Sequence, residues 1–319
     1  MNDIRTEPTA SAKRKKGILC LIISAFSFAL MSMFISLAGD MPVFQKALFR
    51  NLVALALSII LLLRSPEKFR IQKGSMPGLL MRASFGTLGL ICNFYAISKI
   101  NIADALILNK LSPFFAVIAS IIILREVANI RQWFAISVAL IGALFVVKPE
   151  FLFANTGNYD QSHIFPAVIG IVGGITAGIA YTFLRKLRLQ GERGTVIVAF
   201  FSAFSCIAVV PFIIATYEPV TPIQLLFCLC AGVAACSGQL FITAAYGACP
   251  AKEISVYDYS TVIFAAVLGM LFLGEFPDTL SILGYIIIIA ASVYAYLVNN
   301  GIIPVKKNAD KTEAEDKDE

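Results

Sequence analysis

Residues 13–37 read KRKKGILCLIISAFSFALMSMFISL, a basic cluster followed by a long apolar run. The 21 residues of that run, 17–37, carry no charge. A helix needs about 20 apolar residues to cross the hydrocarbon core of a bilayer. The run is also longer than the roughly 7–15 apolar residues of a cleavable signal peptide. We therefore interpret residues 17–37 as a first transmembrane helix that stays in the protein.

The same pattern recurs along the chain, where Pro, Gly or charged residues separate further apolar segments. These segments are 47–63, 77–97, 103–124, 132–147, 165–184, 195–215, 222–246, 254–273 and 279–298. Hydrophobic residues make up 58% of the 319 residues and charged ones only 14%, against about 25% charged in an ordinary soluble domain. A soluble enzyme, a disordered regulator and a disulfide-built secreted module are excluded. The sequence predicts an all-α integral membrane protein with ten transmembrane helices.

The basic residues predict the orientation of these helices. If the N-terminus is cytoplasmic, 21 of the 26 Lys and Arg residues fall on the cytoplasmic side, only Lys46, Lys99 and Lys148 fall outside, and Arg50 and Lys110 lie within spans. This split follows the positive-inside rule and requires an even number of spans. We expect a multi-pass protein of the cytoplasmic membrane, with a basic tail (1–16) and a charged, disordered tail (299–319) in the cytoplasm. The net charge of +6 is loop charge, and no nucleic-acid partner is expected.

The chain also repeats itself at an offset of 149 residues. This offset places Glu126 on Glu275. In each half, a charged segment ending in or containing this Glu follows the fourth apolar segment and precedes the last one. We predict a first five-helix repeat at 17–148, an external linker at 149–164 and a second repeat at 165–298. Because five is an odd number, the two halves must face opposite ways. Many secondary carriers use this inverted-repeat arrangement.

Several short motifs within these spans resemble a known family. They are Arg82–Gly86 (RASFG), Asn93–Ala96 (NFYA), Ile102–Ala105 (IADA), Leu111–Pro113 (LSP), Leu124–Glu126 (LRE), Leu273–Glu275 (LGE) and Leu283–Gly284. They resemble the EamA family of the drug/metabolite transporter superfamily, although Arg125 stands where that family usually has Gly. The resemblance implies two five-helix repeats and secondary transport of small organic metabolites. The pattern is similar to branches that include S-adenosylmethionine carriers, so we expect amino-acid-like or nucleoside-derivative substrates, with S-adenosylmethionine as one candidate.

The predicted fourth span contains a polar interruption, Asn109-Lys110-Leu-Ser112-Pro113. A charge at the centre of a bilayer costs about 2.5–3.5 kcal/mol on insertion scales, so Lys110 must be paired or face water. Pro113 has no amide proton and clashes with the carbonyl four residues earlier, which frees the carbonyl of Asn109. Polar or Pro-interrupted spans at corresponding positions of two repeats indicate a carrier's binding site. We therefore place Asn109, Lys110 and Ser112 at the predicted site.

The predicted ninth span contains the second interruption, Tyr257-Asp258-Tyr259. The offset of 149 places Asp258 on Asn109 and Tyr259 on Lys110, so a pseudo-twofold axis would bring the two clusters together. We predict that Lys110 and Asp258 flank a cavity walled by Tyr257 and Tyr259. Opposed charges there would suit an amphoteric metabolite, and Asp258 would take up a proton during the cycle. The alternative is an ion pair that only holds the two spans together.

Four other polar residues lie within predicted spans and are second-rank candidates: Arg50, Arg82, Asn93 and Gln239. The two arginines lie near the ends of their spans, where they either snorkel to lipid headgroups or contact an anionic group of the substrate. The two amides either bond to a neighbouring helix or contact the substrate.

Residues suited to catalysis or metal binding are scarce. His163 is the only histidine, and it lies in a polar link between spans. The seven cysteines lie in or beside apolar runs and contain no CxxC pair, so we expect neither a disulfide framework nor a metal site. We expect no catalytic residues and no cofactor. An integral-membrane enzyme is the weaker alternative.

The sequence also bears on the source of energy for transport. The segment Gly86-Thr-Leu-Gly89 lacks the Lys-Ser/Thr ending of a phosphate loop, so we expect a proton or a counter-solute to drive transport. A channel or pore is the main rival, and it would need a ring of like residues or a filter motif. The GxxxG motif at 170–174 allows close helix packing in one bundle or in a dimer, so a monomer and a homodimer both stay open.

Overall fold

The computed structural model describes residues 10–39, 41–99, 108–147, 164–274, 276–300 and 302, and all regular structure in these ranges is helical. The helices are α1 (Ala10–Leu37), α2 (Val43–Arg64), α3 (Met76–Lys99), α4 (Ser112–Leu124), α5 (Ile130–Val147), α6 (Ile164–Leu189), α7 (Gly194–Thr216), α8 (Pro222–Ala248), α9 (Ala251–Ile254), α10 (Ser260–Phe272) and α11 (Thr279–Asn299). A 3₁₀ segment, Ser255–Tyr259, joins α9 to α10. The predicted all-α class is confirmed. The start of the predicted fourth span, His163 and most of the predicted linker lie outside the described residues.

The helix lengths fit a membrane protein. Seven helical segments among the described residues are long and apolar enough to cross a bilayer, including Ala251–Phe272, which runs from α9 to α10. Helix α4 has only 13 residues, and at 1.5 Å per residue it extends about 20 Å. The hydrocarbon core is about 30 Å thick. Helix α4 by itself is therefore too short to cross the hydrocarbon core.

Large aliphatic side chains cover the outside of the bundle. Ile122, Ile207 and Leu271 are 73%, 75% and 69% exposed, and they lie in the middle or late turns of apolar helices. A soluble protein rarely exposes large contiguous apolar patches. Lipid chains instead of water must therefore surround these helices, and the chain is a multi-pass membrane protein.

Three ion pairs define one end of the bundle, which we call the basic end. Arg14 pairs with Glu253 at 2.7 Å, Arg185 with Glu126 at 2.6 Å, and Arg193 with Glu67 at 3.3 Å. Helix α1 therefore begins at the basic end, whereas α6, the first helix of the second repeat, ends there. The two repeats run through the bundle in opposite directions, as the odd number of helices in each predicted.

The helix packing has the symmetry expected of two inverted repeats. The four most extensive helix contacts are α1 with α8, α3 with α6, α5 with α11, and α2 with α7. Each joins a helix of the first repeat to a helix of the second. Exchanging equivalent helices turns the α1–α8 contact into the α3–α6 contact and leaves the other two unchanged. The two halves are therefore interleaved, and their shared interface forms the centre of the molecule.

Glycines on α6 bring this helix close to the start of α4. A Cβ atom added at Gly174 would lie 2.7 Å from the carbonyl oxygen of Leu108, and one added at Gly178 would lie 2.7 Å from the backbone nitrogen of Ala116. Small residues allow such backbone approach between membrane helices. In this chain the glycines serve packing inside the bundle, beside the turn at Lys110 and Leu111 that precedes α4.

Candidate functional site

The fourth span is broken at Lys110. Residues 108–109 are helical, Lys110 and Leu111 form a turn, and α4 then begins at Ser112 with Pro113 in its first turn. Proline is tolerated there because the first amides of a helix have no partner inside it. The break therefore follows from the local sequence, as predicted.

The ninth span is broken at the equivalent place. Helix α9 ends at Ile254, the 3₁₀ segment contains Asp258, and α10 begins at Ser260. Helices α4 and α10 both have 13 residues, and under the 149-residue offset their starts differ by a single position. Each repeat thus contains one interrupted span whose second half begins near the pseudo-twofold axis.

An ion pair joins the two breaks. Lys110 Nζ lies 3.4 Å from Asp258 Oδ2, and the two side chains are only 16% and 11% exposed. The Tyr259 hydroxyl also donates a hydrogen bond to the carbonyl oxygen of Lys110 at 3.0 Å. Because α4 and α10 each begin two residues after a member of the pair, the positive ends of both helix dipoles lie close to it.

Two tyrosines that the sequence reasoning missed complete the surroundings of Asp258. Tyr181 on α6 and Tyr246 on α8 both interact electrostatically with Asp258. Their rings stack with centroids 5.3 Å apart, and the Tyr246 hydroxyl lies 3.5 Å from Ser255 Oγ. Each tyrosine stands in an apolar span without a neighbouring charge, so a single sequence offers no pattern that marks it.

Arg82 and Gln239 are brought together across the repeats. Arg82 Nη2 on α3 donates to Gln239 Oε1 on α8 at 3.2 Å, and the guanidinium lies 4.3 Å from the centre of the Phe201 ring. The side chain of Arg82 is 3% exposed. Gly86, one turn later, leaves the room that the guanidinium occupies. Arg82 therefore points into the bundle and away from the headgroups.

Arg50 on α2 is also buried, at 8% exposed. It interacts electrostatically with Tyr181, which ties it to the surroundings of Asp258, and with Cys206 on α7. Arg82 also interacts with Arg50 and Tyr181. The two arginines and the Lys110–Asp258 pair thus share one neighbour, Tyr181.

The remaining candidates lie beside or away from this centre. Ser112 is buried at the first position of α4, and Asn109 is half-buried just before the break. Tyr257 is buried, and its hydroxyl interacts electrostatically with Arg14, Glu253 and Tyr296 towards the basic end. Asn93 is half-buried on α3 where this helix meets Gly173 of α6.

The basic end is tied by contacts that cross from one repeat to the other. Glu126 accepts hydrogen bonds from Arg185 and from Ser120, and Arg185 also donates to the carbonyl oxygen of Tyr246 at 3.0 Å. Gln132 donates to Asn299 Oδ1 at 2.9 Å. Glu126 thus makes a contact just beyond the end of α4, and Arg185 is a partner that the sequence reasoning did not single out.

Comparison with known proteins gives the family. Residues 15–148 and 164–297 each match the EamA-like transporter family. The pseudopaline exporter CntI of Pseudomonas aeruginosa (strain UCBPP-PA14) is 31% identical over 281 residues, which cover 88% of this chain and 95% of the exporter. Solute carrier family 35 member G1 of Homo sapiens is 24% identical over 303 residues, which cover 91% of this chain and 82% of the carrier.

A solved crystal structure supports the same fold. The two structures superpose with a TM-score of 0.74 at 14% sequence identity. The matched region covers 91% of this chain and 99% of the chain in the solved structure. Two matching repeats, a helical membrane fold and relatives named as transporters all agree. The chain belongs to the EamA-like transporter family.

Proposed function

We propose that this protein is a secondary active transporter that moves small organic metabolites across the cytoplasmic membrane by alternating access. The observation that carries the proposal is the Lys110–Asp258 ion pair, 3.4 Å apart, at the two facing helix breaks. Ionisable residues inside membrane segments are costly and mark substrate or ion pathways by default. Discontinuous helices near the bilayer midplane are where inverted-repeat carriers bind their substrates.

The pair has the chemistry to hold an amphoteric solute. An ammonium group competes with Lys110 for Asp258, and a carboxylate competes with Asp258 for Lys110. The positive ends of α4 and α10 favour the anionic group further. Amino-acid-like and nucleoside-derivative metabolites, including S-adenosylmethionine, carry both kinds of group.

The same pair offers a coupling step. A proton on Asp258 removes its charge and releases Lys110 from the ion pair, and a counter-solute that occupies the site has the same effect. Neither step needs a cofactor or a change in the solute. We therefore propose proton coupling or exchange as the driving process and assign no catalytic residue.

Alternating access would be carried by the interface between the repeats. The contacts of Arg185 with Glu126 and of Arg14 with Glu253 both cross that interface at the basic end. A carrier must break such contacts to open that end and must close the other end at the same time. The division into repeats at 17–148 and 165–298 with an external linker at 149–164 is part of this proposal.

The orientation follows from charge. We propose that the basic end faces the cytoplasm, because the sequence assigns 21 of the 26 Lys and Arg residues to the loops, tails and span ends of that side, and basic loops stay inside. Both termini are then cytoplasmic.

Counterflow in proteoliposomes tests the proposal. The full chain is reconstituted, and saturable exchange is measured for amino acids, nucleoside derivatives, S-adenosylmethionine and pseudopaline, which a relative exports. We expect Lys110→Ala and Asp258→Asn each to lower the rate at least about ten-fold, since each leaves its partner uncompensated. Lys99→Ala, at the exposed end of α3, is the matched control.

Each outcome of this experiment has a clear meaning. Wild-type counterflow from both variants at normal expression would overturn the assigned site. Flux that does not saturate would favour a channel, and recovery of a chemically altered solute would favour a membrane enzyme. Lys99→Ala should match the wild type.

A further inference from the structure

Arg50 and Arg82 are buried cations for which the described part of the chain offers no acidic partner. They are 8% and 3% exposed, and the Nε atom of each is buried without a hydrogen-bond partner. Among the described residues, neither arginine forms an ion pair with a carboxylate. Arg82 donates one hydrogen bond, to the neutral amide of Gln239.

The charge around them is not balanced. Among the described residues, the two arginines interact electrostatically with Tyr181, Cys206 and each other. The nearby carboxylate of Asp258 already pairs with Lys110. Among the residues that the structure describes, the centre of the bundle therefore carries two more positive than negative charges.

Burying this excess positive charge costs free energy unless a bound anion neutralises it. The effective penalty for taking an ion out of water is several kcal/mol. Snorkelling to the headgroups would relieve that penalty, but both side chains are more than nine-tenths buried. Two more polar atoms are also buried without hydrogen-bond partners: Asn51 Nδ2, on the residue after Arg50, and Ser202 Oγ, on the residue after Phe201.

Guanidinium groups have a preferred ligand. Their planar array of donors matches a carboxylate or a phosphate through two parallel hydrogen bonds. The ring of Phe201 packs against one face of the Arg82 guanidinium group and so holds this group, whose paired N–H donors form a fork, in one orientation. Two such forks that share the neighbour Tyr181 suit a ligand with more than one oxyanion group.

We propose that Arg50 and Arg82 form a second subsite that binds the acidic groups of a polyanionic metabolite, next to the Lys110–Asp258 pair. This inference rests on the proposed transport function and narrows its substrate class. The solute carries at least two carboxylate or phosphate groups beside its amine. A solute with a single carboxylate leaves one fork empty.

Equilibrium binding to the purified full chain tests the subsite independently of transport. Melting temperature in detergent is followed while glutarate, which has two carboxylates, or butyrate, which has one, is titrated at constant ionic strength. We expect saturable stabilisation by glutarate and a much weaker effect of butyrate. Arg50→Gln and Arg82→Gln should each weaken glutarate binding roughly ten-fold, the loss expected for one charge-assisted pair. Lys99→Ala should bind as the wild type does.

Two further variants cover the case in which a Gln variant fails to fold. Arg50→Lys keeps the charge but loses the fork, and it should fold and still bind glutarate more weakly. Gly86→Ala keeps both arginines and adds a methyl group against Arg82 and Phe201, so it should weaken binding through position alone. Glutarate binding that is the same in the wild type and in these variants would overturn the subsite.

A lipid headgroup is the other source of the same chemistry. Phosphatidylglycerol is therefore added to delipidated protein before the titration. Unchanged glutarate binding supports a solute subsite. Competitive loss of glutarate binding would assign the arginines to a lipid and overturn the narrowed substrate class. Counterflow with no arginine-dependent binding would overturn this inference alone, whereas binding without counterflow would count against the transport function alone.

Discussion

The hydroxyl of Tyr259 donates to the carbonyl oxygen of Lys110 at 3.0 Å, and the two residues are 149 positions apart, the offset that relates the two repeats. Residues at equivalent positions touch only where a pseudo-twofold axis passes between them. The axis therefore runs through the two helix breaks. The polar helix breaks of the two repeats are in contact at this axis. A single ion pair can therefore respond to movements of both halves.

Removing this hydrogen bond should lower stability. Tyr259→Phe leaves the partly buried carbonyl of Lys110 without that donor, and an unsatisfied buried polar group costs about 1–3 kcal/mol. SDS-unfolding titrations in mixed micelles measure the loss. Tyr217→Phe, on a tyrosine that is 68% exposed, is the control and should leave the midpoint unchanged. Equal midpoints for the Tyr259→Phe variant and the wild type would contradict the contact.

A double-mutant cycle should separate the structural from the functional role of the ion pair. Lys110→Met strands a buried carboxylate and Asp258→Asn strands a buried ammonium, so each should cost about 3 kcal/mol, the lower end for buried pairs, because some exposure remains. The double variant should be more stable than the sum of the single losses predicts. We expect its counterflow to stay low although its stability recovers. If the double variant recovered both its stability and its counterflow, the ion pair would have only a structural role.

Opening of the basic end should be visible at Cys249. Burial raises the pKa of this thiol to about 11, so little of the reactive thiolate exists at pH 8. Glu126→Gln removes the charge that Arg185 pairs with, which should favour the open end and bring the pKa of Cys249 down towards its ordinary value. The thiolate fraction, and with it maleimide labelling at pH 8, should then rise.

The labelling is measured in a protein whose other six cysteines are replaced by Ala. The rise should shrink as pH approaches the raised pKa, because the thiol in the closed state then ionises as well. Glu67→Gln, on a side chain that is 56% exposed at the same end, is the matched control. Equal labelling of the Glu126→Gln variant and its parent across this pH range would contradict the gating role of Glu126.

A methyl group at Gly174 should disturb the break in the fourth span. Its Cβ would lie 2.7 Å from the carbonyl oxygen of Leu108, a backbone atom that cannot turn aside. Overpacking of this kind costs about 1–3 kcal/mol, which outweighs the gain of roughly 1 kcal/mol in helix propensity. Gly194→Ala meets only a methyl group of Thr243 at 3.2 Å and should be close to neutral. Thermal melting of both variants checks the difference.

One departure from the family pattern illustrates how backbone and sequence are linked. Arg125 ends α4 with φ of 56°, and Gly274, its equivalent in the second repeat, has φ of 71°. Both positions need the left-handed conformation that glycine adopts without cost. The family's usual glycine before Glu126 therefore has a geometric cause, and this chain tolerates Arg there at one helix end.

The sequence by itself determined the helical class, the opposed directions of the repeats and the two polar interruptions. These features are local, because apolar length decides a span and Pro113 with its polar neighbours decides a break. It also placed Lys110 and Asp258 at neighbouring positions of the repeat pattern, although their functional role stays a prediction.

Only the tertiary structure decided which side chains share the centre. Hydropathy and spacing report how deep a residue lies, but they do not report which neighbour its side chain meets across a helix interface. Tyr181 was missed for this reason, and Arg50 and Arg82 were placed near span ends without any indication that no carboxylate of the described residues pairs with them. Whether a buried charge is neutralised depends on distances between helices far apart in the chain, and these exist only once the bundle is packed.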